Sequence, residues 1–200
     1  MNFLGHLYFS GDDHETMLLN LYGDFVKGKL KKIENNKLRK AVELHRKIDS
    51  YIDTHETVLK LKLELYKDLP KVAGVAIDIY FDHLLSKNWE QFHTIPLRNY
   101  LQAFFENAFQ RMEELEQNDE IKFKPFFKLL LKRIDDENWI LNYKNEEGLN
   151  FACQGLSKRI SFENNLDEGV FFFKKNQQKI ESVFQSYMVS AQKKFLFAKK

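Results

Sequence analysis

Apolar residues recur at spacings of three and four along nearly all of this chain, and only three prolines and eight glycines interrupt its 200 residues. That period aligns side chains on one face of an α-helix and scatters them on a strand, so the fold class it predicts is all-α. The clearest stretch is C-terminal, where Phe173, Ile180, Val183, Phe184, Tyr187, Met188, Ala191 and Phe195 mark one face and lysines and glutamines the other. Gly28 and the polar run Glu34, Asn35, Asn36 close an earlier helix. Pro70, Pro96 and Pro125 suit the first turns of new ones, with Thr94 a cap candidate ahead of Pro96. Helices are expected over about 13–27, 37–66, 71–87, 96–117, 124–144, 146–160 and 167–197. No repeat, low-complexity linker or clear boundary divides them. With 44% hydrophobic residues, the whole of 1–200 reads as one helical-bundle domain with a sizeable core.

Thirty-one basic residues against 29 acidic leave a net charge of +2, too little for bulk nucleic-acid binding, so any basic partner surface must be local. The lone Cys153 forms no internal disulfide, as a reduced compartment permits. The opening MNFLGHLYFSGDDHE lacks a basic leader, a long apolar stretch and a cleavage site. No run approaches the roughly 20 apolar residues of a membrane span. These features predict a soluble cytoplasmic protein with no membrane or nucleic-acid partner.

The first half concentrates histidines and aspartates. His45, Asp49 and Asp53 are four apart, so they project from nearly one helix face. Asp78 and Asp82 repeat that spacing, with His83 following directly, and Asp24 and His6 have similarly apolar neighbours. An ionised carboxylate in apolar surroundings requires a cation or an arginine. Converging imidazoles and carboxylates suit Mn, Fe or Zn, and Mg where oxygens dominate. The plainer alternative is scattered pairing, Asp49 with Arg46 or Lys47 and Asp53 with solvent. His14 and His93 read as peripheral, His55 is ambiguous, Trp89 and the 19 phenylalanines read as core, and Cys153 lacks a nucleophile's neighbours. There is no glycine-rich phosphate loop and no CxxC pair.

Four blocks, MNFLGHLYFS at the start, NLYGDFVKG at 20–28, LHRKIDSYID at 44–53 and IDIYFDHLLSKNW at 77–89, resemble the acyl carrier protein phosphodiesterase family in order and spacing. A weaker block, GLSKR at 155–159, extends the likeness to nearly the full chain. The resemblance implies a helical fold related to HD-type metal phosphohydrolases and a divalent metal, usually manganese, with Mg, Fe or Zn as alternatives. It also implies hydrolysis of the phosphodiester that joins 4'-phosphopantetheine to a serine of holo acyl carrier protein. His6, Asp24, His45, Arg46, Asp49, Asp53, Asp78, Asp82 and His83 fall on positions of the family pattern. The expected metal ligands are His45, Asp49, Asp82 and His83, with Asp24 as a fifth. The expected catalytic set is His6 as proton donor to the leaving serine oxygen, Arg46 on the phosphate, and Asp78. Two departures stand out: Gly5 replaces the family's usual alanine, and Asp82-His83 reverses the HD order, so ligand roles cannot be copied from ordinary HD enzymes.

The implied carrier is acidic, and the run KGKLKK at 27–32 offers Lys27, Lys29, Lys31 and Lys32 to meet it. The alternative is a solvated lysine-rich loop. Two rival functions share these residues: an HD-like phosphohydrolase acting on a nucleotide or small phosphate ester, and a non-catalytic helical module that binds an acidic partner.

Overall fold

In the computed structural model, which describes residues 2–197, several helices begin where a side-chain oxygen or a proline suits the first turn. Asp13 accepts from Thr16 N to cap α2 (His14–Leu21), Asn35 accepts from Leu38 N to cap α3 (Asn36–Thr54), and Pro125 opens α7 (Pro125–Asp136). Between α2 and α3 lie a 3-10 turn over Tyr22–Phe25 and a second over Leu30–Lys32. Gly28 sits between them at φ 94°, a left-handed conformation that disfavours any side chain. The remaining helices are α4 (Glu56–Leu65), α5 (Ala73–Lys87), α6 (Leu97–Gln117), α8 (Trp139–Asn142), α9 (Glu146–Ser157), α10 (Gly169–Lys175) and α11 (Gln177–Gln192). The all-α class holds, since no strand occurs among the described residues.

Three expected helices are each broken. The 37–66 stretch divides at His55, which is extended (φ −69°, ψ 126°), so α3 and α4 meet at a corner. The 124–144 stretch divides at Asn138, whose left-handed φ of 52° ends α7 before α8. The C-terminal stretch divides at Asn176, between α10 and α11.

One element was not expected. Helix α1 (Phe3–Ser10) has no side-chain cap of its own at Asn2. Asp82, on α5, supplies one instead: its carboxylate accepts from Leu4 N at 2.7 Å and from Gly5 N at 3.1 Å. Helix α5 runs through the core, buried on most of its faces, and packs on α1, α4, α9 and α11. A continuous apolar cluster extends from Leu4 to Phe195, with Tyr80, Phe81, Phe184 and Tyr187 fully enclosed. Among the described residues no helix is long and apolar enough to cross a membrane.

Candidate functional site

Four elements meet at one point. Helix α1 brings His6, α2 brings Asn20, the Tyr22–Phe25 turn brings Asp24, and α3 brings His45 and Asp49 one turn apart. The two imidazoles stack, with ring centroids 4.2 Å apart and planes 17° from parallel. Their Nδ1 atoms both face Asn20 Oδ1, at 3.0 Å from His6 and 3.2 Å from His45. Their Nε2 atoms face carboxylates: His6 lies 3.0 Å from Asp49 Oδ1, while His45 lies 3.2 Å from Asp24 Oδ1 and 3.1 Å from Asp49 Oδ2. His6, His45 and Asp49 thus offer ligand atoms all within 4.8 Å of one another.

A hydrogen-bond chain sets the tautomers. Ser10 Oγ donates to His6 O at 2.7 Å, so it accepts from Asn20 Nδ2 at 2.8 Å. That leaves the Asn20 carbonyl oxygen facing the rings, and both Nδ1 atoms must donate to it. Both Nε2 atoms therefore turn toward the carboxylates, the usual way an outer partner orients a metal-binding histidine. The turn closes on His45 because residue 23 is glycine, since a Cβ there would lie 2.5 Å from His45 Cγ.

The electrostatics follow from burial set against pairing. Burial opposes the charge on Asp49, but bonds from His45 and His6 hold its carboxyl far below the usual range. The His45 bond likewise lowers Asp24, outweighing its partial desolvation. Burial also opposes protonation of His45, yet its bonds to Asp24 and Asp49 raise it to about 9. For His6 burial wins over the Asp49 bond, and its value falls. The ring side chains are 5% exposed but Asp49 is 43% and Asp24 73% exposed, so the carboxylate side opens to solvent.

Two expected ligands lie outside this three-residue group. Asp82 is fully buried beneath the start of α1 and bonded to its amides; burial outweighs those bonds and pushes its carboxyl up to about 7. His83 turns elsewhere, because adjacent helical residues point about 100° apart. Its Nδ1 lies 2.5 Å from Tyr143 O, and its ring meets Phe173 edge-on. Neither reaches the cluster. Asp78, half-buried one turn before Asp82, is not among the three convergent ligands. Asp53 is exposed, 3.5 Å from Lys62 Nζ. Arg46 donates to Val26 O at 3.1 Å, anchoring the start of the lysine segment to α3. Lys27, Lys29, Lys31 and Lys32 are all exposed on that segment, which leads directly from the Asp24 turn.

The other candidates resolve as structural. His55 links the α3–α4 corner to Ser190 Oγ on α11 at 2.9 Å. His93 stacks on Trp89, which is itself buried. Burial pushes the Cys153 thiol up to about 12. Asn20 and Gly23 lie outside the expected site residues although both stand in the NLYGDFVKG block. A lone amide in the apolar run MLLNLY was the available signal, since a buried amide must be hydrogen-bonded.

Fold and site together define an all-helical protein with a histidine–carboxylate cluster where its first three helices converge. The family model described as acyl carrier protein phosphodiesterase matches residues 1–191. The chain belongs to that family. It is similar to the acyl carrier protein phosphodiesterase of Photorhabdus laumondii, at 28% identity over 159 residues, covering 80% of this chain and 77% of the relative. The protein of that name from Yersinia enterocolitica is 32% identical over 91 residues, 46% of this chain and 47% of the relative. That from Escherichia coli strain K12 / DH10B is 24% identical over 160 residues, covering 80% and 79%. No solved structure matches.

Proposed function

We propose that this protein hydrolyses the phosphodiester of holo acyl carrier protein, releasing 4'-phosphopantetheine and the apo carrier, with a divalent ion, manganese first, held by His6, His45 and Asp49 and by Asp24 at the open edge. The carrying observation is the convergence of two imidazoles and a carboxylate whose ligand atoms lie within 4.8 Å of one another, with tautomers set by Asn20. That donor set fits a borderline divalent cation. When bound, such an ion acidifies water and offsets charge on phosphoryl oxygens.

The chain's own groups do the rest. Asn20 keeps both Nε2 atoms directed at the ion position, and Asp24 and Asp49 face solvent, where a phosphodiester can approach. Water adds at phosphorus, the bond to the serine oxygen breaks, and that oxygen takes a proton. With Nδ1 committed to Asn20 and Nε2 to Asp49, His6 fits ion holding better than the proton donation expected of it. Kinship with HD-type phosphohydrolases, a reduced cytoplasmic location and steering of an acidic carrier by the Lys27–Lys32 segment belong to the same reading.

The test is to incubate the protein with holo carrier protein and Mn, with a chelated control, following the prosthetic group by intact mass. Metal-dependent conversion to the apo form is expected, and His45→Ala or Asp49→Asn should abolish both conversion and metal content. Stoichiometric metal with no conversion would favour a nucleotide-type phosphohydrolase. Neither metal nor conversion would favour a binding module.

A further inference from the structure

The scissile bond proposed above lies on the carrier's own serine. The carrier surface must therefore come within about a side chain's length of the cluster, and its docking face must border Asp24 or Asp49, the two open carboxylates. One apolar surface meets that condition. A groove of about 420 Å³ runs between α7, α8 and α9, lined by Phe3, Phe126, Leu129, Phe151, Arg133 and Arg159 among others. Phe126, Leu129 and Phe151 are 59%, 57% and 53% exposed, an unusual outlay of large apolar side chains on one face.

The groove is stitched to the Asp24 turn. Tyr22 Oη donates to Lys122 O and accepts from Lys124 N, both at 3.2 Å, at the root of α7. Phe25, next to Asp24, places its ring centroid 6.1 Å from that of Phe126. The charge around it is suitable too. Arg159 lines the groove, as does Arg133, which also pairs with Glu137 at 3.3 Å, and exposed Lys122 and Lys124 stand beside Tyr22 ahead of α7. The groove along α2 and α3, by contrast, sets Asp13, Glu15 and Glu43 against Lys37, Lys40 and Lys47, with Glu15 and Glu43 ion-paired to Lys37 and Lys47, so it offers an acidic partner no net positive charge.

Resting on the phosphodiesterase reading, we infer that the α7–α9 face docks the carrier protein, receiving an acidic amphipathic helix whose apolar stripe lies on Phe126, Leu129 and Phe151 while its carboxylates meet Arg159, Arg133 and the lysines before α7. The lysine segment at 27–32 then flanks the complex on the far side of Asp24 rather than forming its centre.

Carrier binding to the full-length, metal-free protein can be followed by anisotropy of a fluorescent holo carrier, separately from turnover by intact mass with Mn. Leu129→Asp and Arg159→Glu, both at exposed positions, are each expected to weaken binding at least tenfold, and raising salt should weaken wild-type binding. Lys60→Glu, an equal charge change on α4, should leave binding within twofold. Binding unaffected by both groove variants overturns the docking face, whatever the turnover. Groove-dependent binding without release of 4'-phosphopantetheine supports the face and overturns the phosphodiesterase reading. A wild type that neither binds nor hydrolyses the carrier overturns both.

Discussion

Replacing Gly23 with alanine adds one methyl group beside His45 and tests whether the cluster's geometry carries its chemistry. The new Cβ would lie 2.5 Å from His45 Cγ, 2.8 Å from its Cβ and 3.0 Å from its Cδ2. Favourable carbon contacts begin near about 3.5 Å, so the turn and the ring must separate by about 1 Å. The atoms it meets are the rigid base of a helical side chain, not a flexible tip. Gly23 is not among the glycines with positive φ, so alanine suits its backbone and its propensity recovers up to about 1 kcal/mol. Overpacking costs about 1–3 kcal/mol, so the net loss of stability should be at most about 3 kcal/mol and the protein stays folded. Displacing a ligand by about 1 Å, however, is expected to cost about 100-fold in turnover. Urea unfolding with chelator, Mn titration and carrier conversion by intact mass measure the three quantities. Turnover within threefold of wild type, with unchanged Mn affinity, would refute the idea that closure of this turn on His45 sets the site.

Asn20→Leu removes an amide that bonds His6, His45 and Ser10, all buried. With each orphaned partner costing about 1–3 kcal/mol, stability in urea should fall by about 3 kcal/mol or more. Mn affinity should drop about 10–100-fold, and an unchanged Mn isotherm would contradict the orienting role. Asp82 makes stability depend on pH. Its folded value is raised by burial from 3.8 to about 7, so the folded chain holds the proton more tightly. The resulting contribution, about 4 kcal/mol, is complete below 3.8 and lost as pH rises to about 7. Asp82→Asn should remove this dependence from urea midpoints measured between pH 4 and 7, whereas parallel curves for variant and wild type would contradict it. Cys153, fully buried with its thiol raised to about 12, should resist alkylation at pH 8 in native buffer and react fully in urea. Rapid native labelling would contradict that burial.

Helical class was legible because an amphipathic stripe is a property of one segment and its neighbours three and four residues away. The same local rule placed His45 and Asp49 on one face of α3, and the blocks around His6 and Asp24 marked the rest of the cluster. Spacing could not say which way α5 turns, and there the expected ligands diverged. Asp82 faces the amides of α1 and His83 faces Tyr143, because one helix step rotates a side chain by about 100°. Helix α1 itself was hidden because its cap lies 78 residues away. The breaks at His55 and Asn138 escaped notice because neither a proline nor a glycine stands there. What the chain determined alone is therefore each helix's face and its polar residues. What only tertiary structure decided is which faces meet: two imidazoles on separate helices share one amide only after α1, α2 and α3 cross, and exclusion of water then forces every buried donor there to find an acceptor.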